Sequence, residues 1–184
     1  MNRALLLIGV AGVGKSTVAD AIGGILTAAG LVTAVVDTDA LAQFGPAPGR
    51  GFHDELKCAN LAAVWANFRA AGARFIVVSA GIDSAALRDR YAGSLAGCEG
   101  QVVRLVAPAE TIRQRLHGRD TAATLHRHLK GLSEQAATLE ALSIEDFTAV
   151  NDRPAPVVAR EIIARAGWPQ PDARQHPLGD RRPH

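Results

Sequence analysis

Residues 9–16, near the start of the chain, match the pattern G-x-x-x-x-G-K-[ST] at every fixed position. Glycines at these positions allow backbone N–H groups to turn inward around a phosphate, and a following helix adds the positive end of its dipole. Lys15 supplies a positive charge for the β- and γ-phosphates, and the hydroxyl of Ser16 is a suitable ligand for Mg²⁺. The pattern therefore predicts a nucleoside triphosphate site, formed by Gly9, Ala11, Gly12, Val13, Gly14, Lys15, Ser16 and Thr17.

Two carboxylates, Asp37 and Asp39, follow the second apolar run of the chain. Carboxylates two positions apart at the end of a strand, beside a phosphate loop, can serve different partners. One can face a metal ion, and the other can accept a proton from a second substrate. The alternative is that one of them caps a helix that begins at Ala40.

Two features that accompany the phosphate motif in other classes of protein are missing from the sequence. Motor ATPases and many switches place an Mg²⁺-linked aspartate at the end of the third strand, where this chain has Ser79. The pattern N-K-x-D, which recognises guanine, does not follow the fourth apolar run. These differences favour a small kinase over a motor or a GTPase.

The phosphate motif needs a strand before it and a helix after it, and the sequence predicts both. Four apolar runs are nearly continuous, which is typical of parallel strands covered on both faces, and a weaker fifth run follows. Their alternation with helical stretches predicts a three-layer α/β domain with a parallel sheet. The predicted strands are Ala4–Gly9, Val32–Val36, Phe75–Ser79, Val102–Val106 and Phe147–Val150.

Helical periodicity and capping residues predict the segments between these strands. Asp83 or Ser84 can cap a helix, and Pro108 and Pro154 suit the first turns of two others. The predicted helices are Lys15–Ala29, Asp54–Ala71, one that ends near Ser94, one that bears Ile112 and Leu116, one that ends near Leu142, and Ala155–Ala166.

The composition excludes several classes of protein. A chain of 184 residues that is 48% apolar suits one folded domain. Its net charge of +2 and its 4% of aromatic residues argue against a nucleic-acid partner. Its apolar runs are shorter than the roughly 20 residues that cross a bilayer, so we expect no membrane partner and a cytoplasmic protein. We expect Cys58 and Cys98 to be reduced thiols and residues 169–184 to form a disordered tail.

From residue 4 to about residue 168 the sequence resembles the P-loop small-molecule kinases, which include shikimate kinase, gluconate kinase, chloramphenicol phosphotransferase and adenylylsulfate kinase. The resemblance rests on the phosphate motif and on Asp37-Thr38-Asp39, which is similar to the D-x-D of shikimate kinase. It implies a nucleoside-monophosphate-kinase-like P-loop fold in one domain, residues 1–168, with a five-stranded parallel sheet in the order 2-3-1-4-5. It also implies ATP and Mg²⁺ as cofactors, a small-molecule hydroxyl acceptor, and a monomer or homodimer.

The resemblance assigns roles to the two carboxylates. In shikimate kinase the first aspartate assists the Mg²⁺ shell and the second contacts the substrate hydroxyl. Carried over, Ser16 and Asp37 bind the metal ion and Asp39 is the base that we favour. The resemblance to chloramphenicol phosphotransferase favours Asp37 as the base instead, so the assignment stays open.

Other residues are candidates for the acceptor side. Ser79 and Gly81 lie where shikimate kinase has a glycine triplet, and because two of those glycines are missing here we expect an acceptor other than shikimate. Arg50, in a loop rich in glycine and proline over residues 44–53, is a candidate partner for an anionic acceptor, and a solvated loop charge is the alternative.

Two arginines after the fourth strand are candidates for catalysis. In these kinases a mobile lid brings arginines over the transferred phosphoryl group, and residues 117–124 take that place here. Arg115 and Arg119 are one helical turn apart and can share a face; a solvated helix face is the alternative. Two other functions remain open, a kinase of nucleotides or adenylylsulfate and a regulatory module that binds ATP without transferring it.

Overall fold

The computed structural model describes residues 1–46, 48–49 and 52–169, without the side chains of residues 52, 119, 123 and 127. Strands and helices alternate along this part of the chain. The strands are β1 (Asn2–Ile8), β2 (Thr33–Asp37), β3 (Phe75–Ser79), β4 (Cys98–Val106) and β5 (Phe147–Val150). The α-helices are α1 (Lys15–Ala28), α2 (Phe52–Ala70), α3 (Ala85–Ser94), α4 (Ala109–Arg119), α5 (Ala122–Leu142) and α6 (Ala155–Arg165), and a short 3₁₀ helix spans Thr38–Ala42.

The five strands form one parallel sheet in the order β2-β3-β1-β4-β5, which confirms the predicted order. The register aligns the carboxyl ends of three neighbouring strands. Leu7 of β1 pairs with Ser79 of β3, and Ser79 also pairs with Asp37 of β2. The phosphate motif and the first carboxylate therefore begin at the same edge of the sheet, where open α/β sheets bind their ligands.

The core explains why these segments take these forms. β3 is buried along its whole length, and β1 is buried from Ala4 to its end, because helices cover both faces of the sheet. Helix α1 buries Val18, Ile22 and Leu26 on one face and packs against α6. The helix ends at Ala28, and the chain turns away at Gly30, the glycine predicted to stop it, whose φ of +76° a residue with a side chain rarely adopts.

The structure corrects several boundaries, among them the start of β1, which lies at Asn2 and not at Ala4. β4 begins at Cys98, four residues before the predicted start at Val102, because β1 pairs with its polar first half from Asn2 onward. Helix α2 begins at Phe52, two residues before Asp54. Residues 117–124, which take the place of a lid in the sequence, are mostly helical, since α4 continues to Arg119 and only two residues connect it to α5.

Other expectations concern the thiols, the tail and the membrane. Cys58 and Cys98 are free thiols, and partial burial raises the pKa of both, that of Cys98 to about 11. The predicted disordered tail lies, after Pro169, outside the described residues. Within the described part, no helix combines the length and the apolar character needed to cross a bilayer.

Candidate active site

Three glycines shape the phosphate motif into a tight loop between β1 and α1. Gly9, Gly12 and Gly14 have φ values of +144°, +78° and +97°, which favour glycine strongly. Space requires glycine as well: a Cβ atom on Gly12 would lie 2.7 Å from Cγ of Leu116, and one on Gly14 would lie 2.5 Å from Nδ2 of Asn151. The loop is therefore packed closely against α4 and against the residue that follows β5.

The back of the loop is held by two side chains that donate to one carbonyl group. Nδ2 of Asn151 donates to the carbonyl oxygen of Val13 at 2.7 Å, and Nη1 of Arg115 donates to the same oxygen at 3.0 Å. Nη2 of Arg115 also donates to the carbonyl oxygen of Asn151 at 3.1 Å. With the Val13 carbonyl fixed on one side, the loop keeps its shape before any ligand binds.

Lys15 folds back over the loop. Its Nζ donates to the carbonyl oxygen of Gly9 at 2.9 Å and to that of Val10 at 3.2 Å. The ammonium group is therefore held within the loop. A bound triphosphate would contact it there with oxygen atoms that carry more negative charge than these carbonyl oxygens.

Ser16, Asp37 and Ser79 bring three side-chain oxygens together at the edge of the sheet. Oγ of Ser16 donates to Oδ2 of Asp37 at 2.5 Å and lies 3.3 Å from Oγ of Ser79. Oxygen atoms, with one carboxylate among them, are the donor set that Mg²⁺ prefers in a nucleotide site. The residues present therefore fit the ion that the motif implies.

Asp37 also caps the 3₁₀ helix that follows β2. Its Oδ1 accepts from the backbone N–H of Asp39 at 3.0 Å while Oδ2 accepts from Ser16. The two explanations of this carboxylate from the sequence, a capping residue and a site residue, are therefore compatible.

Asp39 is paired with a lysine from another element. Its Oδ1 lies 2.6 Å from Nζ of Lys57 on α2, and the side chain of Asp39 is 82% exposed whereas that of Lys57 is 17% exposed. Lys57 thus forms an ion pair with a carboxylate that is largely exposed beside the loop. Nothing in the spacing along the sequence indicates this contact, which joins residues on two different elements.

Three of the cavities formed by the described residues adjoin the loop. The loop cavity, of about 460 Å³, lies over the motif itself. The α4–α6 cavity, of about 580 Å³, extends from Gly12, Gly14 and Thr17 to Arg115, Arg153 and Pro154. The α3–α5 cavity, of about 510 Å³, lies on the opposite side and is lined by Asp54, Asp83, Leu87, Glu134, Gln135 and Leu139, among others. It shares Gly9, Gly81, His128 and Gln135 with the loop cavity, so the two are continuous.

Most of the residues that the sequence singled out meet in the loop cavity. They are Gly9, Ala11, Gly12, Gly14, Lys15, Ser16, Thr17, Asp37, Asp39, Ser79 and Gly81. Val13 differs, since its side chain is buried and its carbonyl turns toward Asn151. Arg115 lines the α4–α6 cavity. Arg50 and the side chain of Arg119 lie outside the described residues.

Helix α5 contributes residues to the site that sequence reasoning missed. Oε1 of Gln135 accepts from the backbone N–H of Ala11, within the loop, at 3.4 Å. Nδ1 of His128 lies 2.5 Å from Oδ2 of Asp120, whose side chain is only 6% exposed. The sequence predicts a helix here, but no pattern in it indicates that Gln135 of this helix reaches the phosphate loop.

Asn151 was missed as well, although two features mark it. It follows β5 at the carboxyl edge of the sheet, and it is one of the few buried polar residues in the described part of the chain. Nearby, Arg153 lines the α4–α6 cavity, and its hydrogen bond to Glu161 raises the pKa of its guanidinium.

Comparisons with known proteins agree with this architecture. The model of a family described as an AAA domain matches residues 5–142, more than half of the chain. No curated protein matches the sequence significantly.

Solved structures match over nearly the whole chain. The tunicamycin resistance protein of Deinococcus radiodurans is 18% identical with a TM-score of 0.67, over 94% of this chain and 99% of that one. The shikimate kinase of Aquifex aeolicus is 17% identical with a TM-score of 0.61, over 89% and 96%. The APS kinase of Mycobacterium tuberculosis, in complex with AMPPNP and APS, is 20% identical with a TM-score of 0.58, over 90% and 98%. At these identities the likeness establishes the fold, which is that of P-loop kinases.

Proposed function

The chain belongs to the AAA domain family and has the fold of P-loop kinases, and from this premise we propose that it is an ATP-dependent phosphotransferase. It transfers the γ-phosphoryl group of ATP to a hydroxyl group of a small molecule. The observation that carries the proposal is the arrangement of cavities: one phosphate loop lies between a cavity on the α4–α6 side and a second cavity on the α3–α5 side. A motor or switch needs one nucleotide site, whereas a kinase needs two sites that meet at the phosphate.

The α4–α6 cavity is the proposed place of the nucleoside. It is lined by Arg115 and Arg153, and it joins the loop at Gly12, Gly14 and Thr17. Guanidinium groups there bind phosphate oxygens and stack on a base. The triphosphate then extends over the loop, where backbone N–H groups and Lys15 bind the β- and γ-phosphates.

Ser16 and Asp37 are the proposed Mg²⁺ ligands, with Ser79 beside them. The ion, when bound, neutralises charge that develops on the transferred group. The chain contributes the oxygen atoms and fixes their positions, since Asp37 is itself held by Ser16 and by the N–H of Asp39.

The acceptor occupies the α3–α5 cavity and presents its hydroxyl group to the loop cavity past Gly81, which lines both. Asp39 is the proposed base, and Lys57 holds it in place at 2.6 Å. Asp39 accepts the proton of the hydroxyl group as the oxygen forms its bond to phosphorus, and ADP leaves. Catalysis otherwise depends on positioning and charge, as expected for a loose transition state.

Two arginines complete the proposal. Arg115 keeps the loop in shape and its guanidinium faces the nucleotide cavity. Residues 117–124, at the junction of α4 and α5, are the proposed lid, and Arg119 is its proposed catalytic arginine, as the resemblance to P-loop kinases implies. A closing segment would exclude water, which would otherwise hydrolyse ATP.

A screen of ATP consumption tests the function. The full chain is incubated with ATP and Mg²⁺ and with pools of sugars, nucleosides, amino alcohols and antibiotic-like compounds, and ADP and phosphorylated product are measured together. We expect ADP release that depends on one class of acceptor and yields product in equal amount. Tight binding of ATP without transfer to any pool would instead favour a regulatory module.

A further inference from the structure

The two cavities on either side of the phosphate loop carry opposite charges. The described lining of the α4–α6 cavity includes Arg115 and Arg153 and no carboxylate. The described lining of the α3–α5 cavity includes three carboxylates, Asp54, Asp83 and Glu134, and no lysine or arginine. The first set of charges suits an anionic nucleotide, and the second disfavours an anion of any kind.

The three carboxylates come from three different elements around the cavity. Asp54 lies in the first turn of α2, Asp83 lies just before α3, and Glu134 lies on α5. Carboxylates that surround a cavity from several sides act together on a ligand inside it. The only nitrogen side chains in the described lining are His128, which is paired with Asp120 at 2.5 Å, and the neutral amide of Gln135.

The floor of the same cavity is apolar. Ile82, Leu87 and Leu139 line it and are 3%, 7% and 4% exposed. Buried hydrocarbon under a ring of acidic and amide groups is complementary to a ligand with one apolar face and several donors. A cavity of about 510 Å³ accommodates a compound of the size of a sugar or a small antibiotic.

We infer that the acceptor is a hydroxyl compound that carries a basic amine and no carboxylate, sulfate or phosphate group. This inference rests on the proposed function. The ammonium group of such a compound forms charge-assisted hydrogen bonds with the carboxylates while its hydroxyl group points to the loop. The same carboxylates repel a nucleoside monophosphate or adenylylsulfate, so the acidic lining argues against a kinase of those substrates.

A charge-sorted panel of acceptors tests the inference. Each member is a set of three compounds that differ at one position, such as a 6-amino-6-deoxy sugar, its N-acetyl derivative and the uronic acid of the same sugar, which all differ at C6. We expect the amine to have a kcat/KM at least about tenfold above its N-acetyl derivative, and the acid to be a poor acceptor. A best acceptor that is uncharged or anionic would overturn the inference and leave the proposed kinase intact. If no compound is phosphorylated although ATP binds, the proposed function fails and this inference fails with it.

Variants on α5 provide the second readout. Glu134→Gln removes one carboxylate of the cavity, and Glu140→Gln removes an exposed carboxylate of the same helix that does not line the cavity. We expect Glu134→Gln to raise KM for the amine about tenfold and to leave KM for its N-acetyl derivative and for ATP unchanged. Glu140→Gln, with the same thermal midpoint, should change none of these values. Equal behaviour of the two variants toward the amine would contradict the inference.

Discussion

The two sides of the phosphate loop are built differently. On the α4–α6 side, a buried asparagine and an arginine both donate to the carbonyl oxygen of Val13, at 2.7 and 3.0 Å. On the α3–α5 side, the described contact from α5 to the loop is one hydrogen bond of 3.4 Å, from the N–H of Ala11 to Gln135. The proposed nucleotide side is therefore shaped in advance by strong contacts, while the proposed acceptor side is lined by exposed polar residues on α5. Under the proposed function, the side shaped by these contacts positions the nucleotide, and the side lined by α5 selects the acceptor and can be altered by a few substitutions.

The largest expected effect comes from the loop that both sides share. Lys15→Ala removes the ammonium group that now contacts the carbonyls of Gly9 and Val10. We expect kcat/KM for the phosphotransfer to fall about 10³-fold, because a preorganised charge at the transferred group is lost. Steady-state ADP release measures it. A kcat/KM within a few-fold of that of the unaltered chain would show that Lys15 has no part in the phosphotransfer.

A matched pair of carboxylate variants separates the metal from the acceptor. We expect Asp37→Asn to lower kcat about 10²-fold and to raise the Mg²⁺ concentration needed for half-maximal rate, since a charged oxygen ligand is lost. Asp39→Asn should lower kcat with an unchanged Mg²⁺ requirement. The measurement is a magnesium titration of each variant at saturating ATP. If the two variants exchange these behaviours, Asp37 is the base and Asp39 is not.

Arg115→Gln tests the rigidity of the nucleotide side. It removes two guanidinium hydrogen bonds, to the carbonyls of Val13 and Asn151. We expect KM for ATP to rise about tenfold and the free energy of unfolding to fall by about 1–3 kcal/mol, while KM for the acceptor stays the same. Urea titration and kinetics measure these. Arg113→Gln is the control, because Arg113 pairs only loosely, at 3.7 Å, with Glu110 on the exposed face of α4. A larger change in KM for the acceptor than in KM for ATP would contradict the proposed difference between the two sides of the loop.

The smallest effect is expected on the acceptor side of the loop. Gln135→Ala removes a long hydrogen bond to the N–H of Ala11. Because such a bond contributes little, we expect the affinity for ATP to change by no more than about threefold. Calorimetric titration with ATP and Mg²⁺ measures it. A loss of ATP affinity as large as the loss expected for Arg115→Gln would show that the two sides of the loop are equally rigid.

The parts of the fold that the sequence predicts are those with local signals. β1, the loop and α1 are specified within 30 residues by an apolar run, a glycine pattern and an amphipathic helix. The start of β4 carries no such signal, since Glu99 and Gln101 are polar and belong to the strand only because β1 pairs with them. Prediction from the residues of one segment fails where pairing with a neighbouring strand determines whether that segment is a strand.

The candidate site divides in the same way. The phosphate motif and Asp37 can be identified from spacing, whereas Asn151 reaches Val13 across 138 positions of the chain and Lys57 reaches Asp39 from another helix. Contacts of this kind depend on how helices pack, which leaves no pattern in one sequence. The charge of the α3–α5 cavity could not be predicted for the same reason, because its carboxylates come from three separate elements.

The most direct test of this two-sided arrangement is a crystal structure of the full chain with Mg²⁺ and a non-hydrolysable ATP analogue. We expect phosphates over residues 9–17, the metal ion beside Ser16 and Asp37, and the adenine ring in the α4–α6 cavity near Arg115 and Arg153. An adenine ring bound in the α3–α5 cavity, against its three carboxylates, would contradict this two-sided arrangement.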